Sequence, residues 1–171
     1  EEERKSLREA YESVRGRAQD ALDEAGVEGE VTLVGSAARD TWLSGDRDID
    51  VFVLLPPELD RQAFEEVGLD VGRSVFPDGP VEYAEHPYVQ GEESGYDVDI
   101  VPCYDVGSAD ELRSAVDRTP FHNEYVREAA EEREGFGDEV RLVKAFARGA
   151  GVYGSDLRTR GFSGYLCELL V

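Results

Sequence analysis

Two aspartates, Asp48 and Asp50, stand one residue apart where an apolar run from Val51 to Leu55 begins, and they are the side chains best placed to do chemistry. A strand alternates its faces, so the two carboxylates lie side by side while Ile49 turns into the core. Like charges in that arrangement repel, and a bridging cation relieves the repulsion. Mg²⁺ suits such a pair: it is a hard ion that takes one or two carboxylates together with substrate phosphate oxygens. The same pair also reads as hydrated acids at the start of a strand, and a D-x-D string alone does not choose between the two. The preceding residues favour the first reading. Val31 to Val34 form a predicted buried strand that Gly35-Ser36 breaks, and a short helix is predicted over Ala37 to Leu43. Backbone N–H groups and the positive end of a helix dipole attract an anion at such a turn, Gly35 lets it come close, and the Ser36 hydroxyl adds a donor.

A third acid can complete the site. Tyr96 to Pro102 alternates like a strand, with Asp97 and Asp99 on the face opposite Val98 and Ile100. If this strand pairs beside the one carrying Asp48 and Asp50, Asp99 is the better third carboxylate because it lies deeper in the apolar run. Its expected task is to orient or deprotonate an attacking hydroxyl beside a metal ion; an exposed strand face is the competing reading. Three other residues attract notice. Thr119-Pro120 reads as N-cap and first helical residue of a helix running through Ala130, which puts His122 in the first turn. A lone His is more often structural, but it reaches a nucleotide if the helix points at the cleft. Lys144 and Lys5 are the only lysines in a chain that otherwise uses Arg. A compact ammonium suits point contact with a phosphate, although chance retention accounts for it equally. Tyr153, on a turn from Gly149 to Gly154, either stacks on a ligand or packs in the core.

Around these residues the pattern is α+β. Glu2 to Ala25 is a predicted amphipathic packing helix with Leu7, Tyr11, Val14, Ala18, Leu22 and Ala25 on one stripe. A surface helix is expected over Glu58 to Val71, short strands over Val81 to Glu85 and Tyr88 to Gln90, and a loop from Gly91 to Gly95. From Ser108 onward the pattern is helical. A connection from Glu131 to Gly137 leads to a helix over Glu139 to Arg148, expected to bury Val140, Val143, Phe146 and Ala147. The final string, GFSGYLCELLV, reads as an apolar helix in which the chain is cut, as the missing initiating Met suggests a trimmed start.

The 171 residues suit one domain, or one domain and the beginning of another. A formal net charge of −21 and a pI near 4.3 ordinarily disfavour a nucleic-acid partner. The acids are scattered instead of gathered in a tail, a pattern that resembles adaptation to a very salty interior. There the Debye length falls to roughly 3 Å or less, so an acidic surface no longer repels a polyanion at a distance. Cys103 and Cys167 sit in apolar surroundings and read as reduced core residues. No signal peptide and no apolar stretch of membrane-spanning length occur, which implies a cytoplasmic chain.

The strings GSAARDTWLSGDRDIDVFV, YAEHPYV, VDIVPCY, SAVDRTPFHNEYV, EVRLVKAFARGAGVYG and GFSGYLCELLV together resemble the archaeal CCA-adding enzymes, the class I tRNA nucleotidyltransferases. The resemblance covers nearly everything from Val31 to Val171, and the acidic composition is similar to haloarchaeal members. It implies a polymerase-β-like nucleotidyltransferase palm over residues 1–107, with the N-terminal helix, followed over 108–171 by the truncated start of a helical central domain. It further implies that Asp48, Asp50 and Asp99 bind two Mg²⁺ ions, that Gly35, Ser36 and Arg39 hold the triphosphate, and that His122, Lys144 and Tyr153 contact the incoming nucleotide. CTP and ATP are the implied donors and the tRNA 3′ end the implied acceptor, with no membrane partner and a homodimer as the candidate assembly. Another polymerase-β-like nucleotidyltransferase shares the carboxylates but leaves the later strings unexplained. A regulatory nucleotide-binding module has no use for the third carboxylate.

Overall fold

In the computed structural model, which describes residues 2–171, the acid-bearing strands are direct neighbours. Residue contacts divide the chain into two units. One contains the chain up to Val34 together with Arg47–Phe121, and the other contains Gly35–Asp46 together with His122–Val171.

The first unit is built on a five-stranded mixed sheet: β1 (Glu30–Val34), β2 (Asp48–Leu55), β3 (Val81–Tyr83), β4 (Pro87–Glu93) and β5 (Tyr96–Tyr104), in the order β1-β2-β5-β4-β3. Only β2 and β5 run parallel; every other pair is antiparallel. Period-two alternation gives the sheet two unlike faces. Ile49, Val51, Val53 and Leu55 share one face with Val98 and Ile100, and all are buried. Helix α1 (Glu2–Glu24) packs on β1 and β2, and α3 (Arg61–Val75) on β4 and β5. The buried stripe of α1 is Leu7, Ala10, Val14, Ala18 and Leu22; Tyr11 is half-buried and Ala25 exposed.

Close approach of α3 to the sheet depends on two glycines one turn apart. A Cβ at Gly68 would lie 2.6 Å from Cβ of Pro102, and one at Gly72 2.6 Å from Cγ2 of Val89. Gly72→Val is therefore expected to destabilise the fold by about 1–3 kcal/mol through overpacking. Urea titration followed by circular dichroism in high KCl measures this, and an unchanged midpoint contradicts it.

Several boundaries differ from the sequence expectation. Helix α3 starts at Arg61, not Glu58, because Asp60 caps it by accepting from Ala63 N at 2.9 Å. Strand β4 does not stop at Gly91: it continues to Glu93, and Gly91 lies against the Phe76 ring, where a Cβ has no room. The reversal needs only Ser94 and Gly95, with φ of 55° and 81°. β3 ends at Tyr83, short of Glu85, whereas β5 continues beyond Pro102 to Tyr104. After β5 the chain makes 3-10 turns at Ala109–Glu111 and Val116–Arg118 instead of a continuous helix, and Thr119 is itself helical, not a cap.

The second unit contains α2 (Gly35–Ala38), most of α4 (Thr119–Glu132), α5 (Phe136–Gly149) and α6 (Gly164–Leu169). Val126, Phe136 and Val140 form its apolar centre, with Ala129, Ala130 and Tyr165 packed around them. Helix α5 begins before Glu139, after the left-handed Gly135 at φ 80°. Its buried stripe is Phe136, Val140, Lys144 and Ala147, while Phe146 is 78 % exposed; Lys144 is the inward residue on that turn. α2 is one turn long and does not reach Leu43. Asp40 takes φ 55°, and Thr41 N then donates to Ser36 O at 3.1 Å, closing the segment into a tight loop.

Both cysteines are buried free thiols, and burial, aided by the neighbouring Asp117, pushes the Cys103 thiol well above its usual range. Among the described residues, no helix is long and apolar enough to cross a membrane.

Candidate active site

The parallel register of β2 and β5 sets Asp48 opposite Asp97 and Asp50 opposite Asp99. All four carboxylates therefore lie on the sheet face opposite Ile49 and Val98. Further along that face, Val34, Phe52 and Cys103 form a buried apolar cluster that floors it. Asp48 and Asp97 are exposed, whereas Asp50 and Asp99 are half-buried.

Burial raises the Asp99 carboxyl above its usual pKa, and the charges of Asp48 and Asp97 raise it further, while a hydrogen bond from Gln90 opposes them. Gln90 Nε2 donates to Asp99 Oδ1 at 2.8 Å from the adjacent strand, where the two residues are register partners. The Tyr88 phenol is raised by its own burial and by Asp99. No three His, Cys, Asp or Glu side chains among the described residues are gathered into a metal-holding group. What the face offers is a row of hard oxygen donors, two of them half-buried, whose mutual repulsion a divalent cation relieves. The donor chemistry thus fits Mg²⁺. Tyr88 and Gln90 fall within the strand predicted over Tyr88 to Gln90, but their link to Asp99 depends on the pairing of β4 with β5, which no local pattern shows.

In the second unit, residues singled out separately in the sequence meet around α6. His122 stacks on Tyr165 with ring centroids 4.2 Å apart. A Cβ at Gly164 would come 3.3 Å from the Tyr153 hydroxyl and 3.6 Å from Lys144 Nζ, so both groups border the first turn of α6. Arg148 lies over the Tyr153 ring at 5.2 Å. Lys144 is 1 % exposed; its ammonium donates to Thr41 O at 2.9 Å and to Thr41 Oγ1 at 3.3 Å, and lies 3.6 Å from Glu168. Burial lowers the Lys144 pKa, with Glu168 pulling it back up. Arg39 pairs with Glu168 at 2.9 Å and donates to Asn123 Oδ1 at 3.0 Å. Ser36 accepts, through its backbone oxygen, the bond that closes the α2 loop. Glu168 was missed, and the one signal for it was an acid standing inside the apolar string CELL.

A mixed sheet with acids on two adjacent parallel strands and helices following it defines the polymerase-β-like nucleotidyltransferase fold. Among solved structures, Cid1, described as an RNA terminal uridylyl transferase, superimposes with a TM-score of 0.69 at 17% identity, over 99% of this chain and 46% of that one. The chain belongs to the family described as "Nucleotidyltransferase domain", which matches residues 16–122; residues 138–171 match the "tRNA nucleotidyltransferase, second domain" family. Along its whole length the chain is 57% identical to the CCA-adding enzyme of Haloarcula marismortui and 47% identical to that of Archaeoglobus fulgidus. It spans 36% and 37% of those relatives, about a third of their length.

Proposed function

We propose that the chain is the nucleotidyltransferase portion of a tRNA CCA-adding enzyme, which transfers CMP and AMP from CTP and ATP to a tRNA 3′ end. The observation that carries this reading is the register placing Asp50 opposite Asp99 on one sheet face, in a chain 57% identical to a CCA-adding enzyme. Residues 1–107 are proposed as the palm and 108–171 as the start of a helical central domain. Asp48, Asp50 and Asp99 would hold two Mg²⁺ ions, which when bound neutralise phosphate charge and lower the pKa of an attacking hydroxyl.

The remaining chemistry belongs to the chain. Asp99, one oxygen held by Gln90, turns its other oxygen to the 3′-hydroxyl and takes its proton. The 3′-oxygen forms a bond to the α-phosphorus as the bond to the β-phosphate oxygen breaks, and pyrophosphate leaves. Gly35 and Ser36 donate to the triphosphate, and Arg39 and Lys144 supply positive charge to it. His122 and Tyr153 flank the nucleotide with flat rings. The test is extension of a tRNA lacking its CCA end by the complete protein carrying this chain, in multimolar KCl. Addition of two CMP and one AMP is expected, whereas addition of UMP alone, or of no nucleotide, overturns the assignment.

A further inference from the structure

Glu168 is an acid in an apolar helix, and its side chain has no solvent exposure. Its carboxylate gathers partners from widely separated stretches of the chain. Thr41 Oγ1 donates a short hydrogen bond to Oε1, Arg39 Nη2 lies 2.9 Å from Oε2, and Lys144 Nζ lies 3.6 Å from Oε1. The Arg39 side chain is only 6% exposed and is further held by Asn123; its Nε and the Glu168 Oε2 make no hydrogen bond among the described residues, so Arg39 and Glu168 meet as an ion pair at 2.9 Å. A buried charge this deep persists only when paired, and well-packed apolar residues in place of a buried ion pair are often as stable or more so. Stability alone therefore gives a weak reason for an acid at this position. Position gives a stronger one: Thr41 and Arg39 belong to the loop from Ser36 to Thr41, and Lys144 donates directly to Thr41 O.

We propose that Glu168 is a positioning residue for nucleotide binding, an internal counterion that fixes the Arg39 guanidinium and the Ser36–Thr41 loop before the triphosphate arrives. The inference rests on the proposed role of Arg39 at the triphosphate. Two cations and one anion leave the cluster with one surplus positive charge, so the carboxylate orders the cations without cancelling them. Glu168 itself touches no substrate and acts only through Arg39 and Thr41.

The experiment is a double-mutant cycle read by equilibrium binding of Mg²⁺–CTP to this chain in multimolar KCl, with Glu168→Gln, Arg39→Gln and the two combined. Glu168→Gln keeps the shape and the acceptor for Thr41 while removing the charge. It is expected to weaken CTP binding about tenfold beside Arg39 and less than about twofold beside the Arg39→Gln change, because the second residue acts through the first. Should Glu168→Gln not fold, Thr41→Val, which leaves all three charges in place, enters the same cycle and decides. Equal losses in both backgrounds, or wild-type affinity in Glu168→Gln, overturn the inference while the nucleotide site stands. A folded wild-type chain that binds no CTP overturns the nucleotide-site reading and the inference together.

Discussion

Replacing Asp99 by Asn is expected to lower nucleotidyl transfer by about 10²–10⁴-fold, the usual contribution of a positioned general base. The same change is expected to raise, not lower, the melting temperature of the metal-free chain. Asp99 carries its charge half-buried, with Asp48 and Asp97 as like-charged neighbours, so its carboxyl binds a proton more tightly when folded than when unfolded. A group with a raised folded pKa contributes fully below its unfolded value, and that contribution is lost as pH rises through the raised folded value. Asn copies the neutral form and still accepts from Gln90, so it keeps at neutral pH what the ionised acid gives up. Melting curves of both proteins in chelator, from acid to neutral pH, measure this. The gain should grow as pH rises from the unfolded value through the raised folded value, be complete above it, and vanish in acid. An Asn variant that is less stable at neutral pH would mean that Asp99 is engaged by a cation of the protein itself.

The second large effect concerns the segment that follows β5. Asp117, fully buried, accepts from Tyr104 N at 3.0 Å through Oδ1, and from Arg113 N at 3.0 Å and Ser114 N at 2.7 Å through Oδ2. One carboxylate thus satisfies three backbone donors and ties the 3-10 turns to the last residue of the strand bearing Asp99. Asp117→Ala leaves those donors without a partner, and each such group costs about 1–3 kcal/mol unless water reaches it. With partial rehydration the loss is expected at about 3–5 kcal/mol, a large part of the roughly 5–15 kcal/mol by which a domain is stable. Chemical denaturation of the variant in high KCl measures it; a loss below about 1 kcal/mol would show that water replaces the carboxylate at little cost.

The chemistry-bearing strands were legible in the sequence because their signal is local. Period-two alternation in DIDVFVLL and YDVDIVPCY, and the break at Gly35-Ser36, are present in the residues themselves. The choice of Asp99 over Asp97 followed from depth in the strand, and the structure places Asp99 half-buried and Asp97 exposed. What was not legible depends on distant partners. Helix α2 stops after one turn because Thr41 is drawn into a buried bond set with Lys144 and Glu168, which no local propensity encodes. The inward side of α5 was misjudged at Phe146 because hydrophobicity ranks Phe over Lys, whereas a buried carboxylate on α6 reverses that order. Gly91 was read as a loop residue, and only the Phe76 ring lying on the strand explains a glycine there.

The central claim is that the face carrying Asp48, Asp50 and Asp99 binds nucleotide through a divalent cation. Equilibrium binding of CTP to this chain in multimolar KCl, with and without Mg²⁺, beside an Asp48→Asn/Asp50→Asn variant, tests it most directly. Binding that requires Mg²⁺ and is lost by a folded variant is the predicted result. CTP binding that is equally tight without Mg²⁺, and equally tight in the variant, would contradict the claim and separate these carboxylates from the nucleotide.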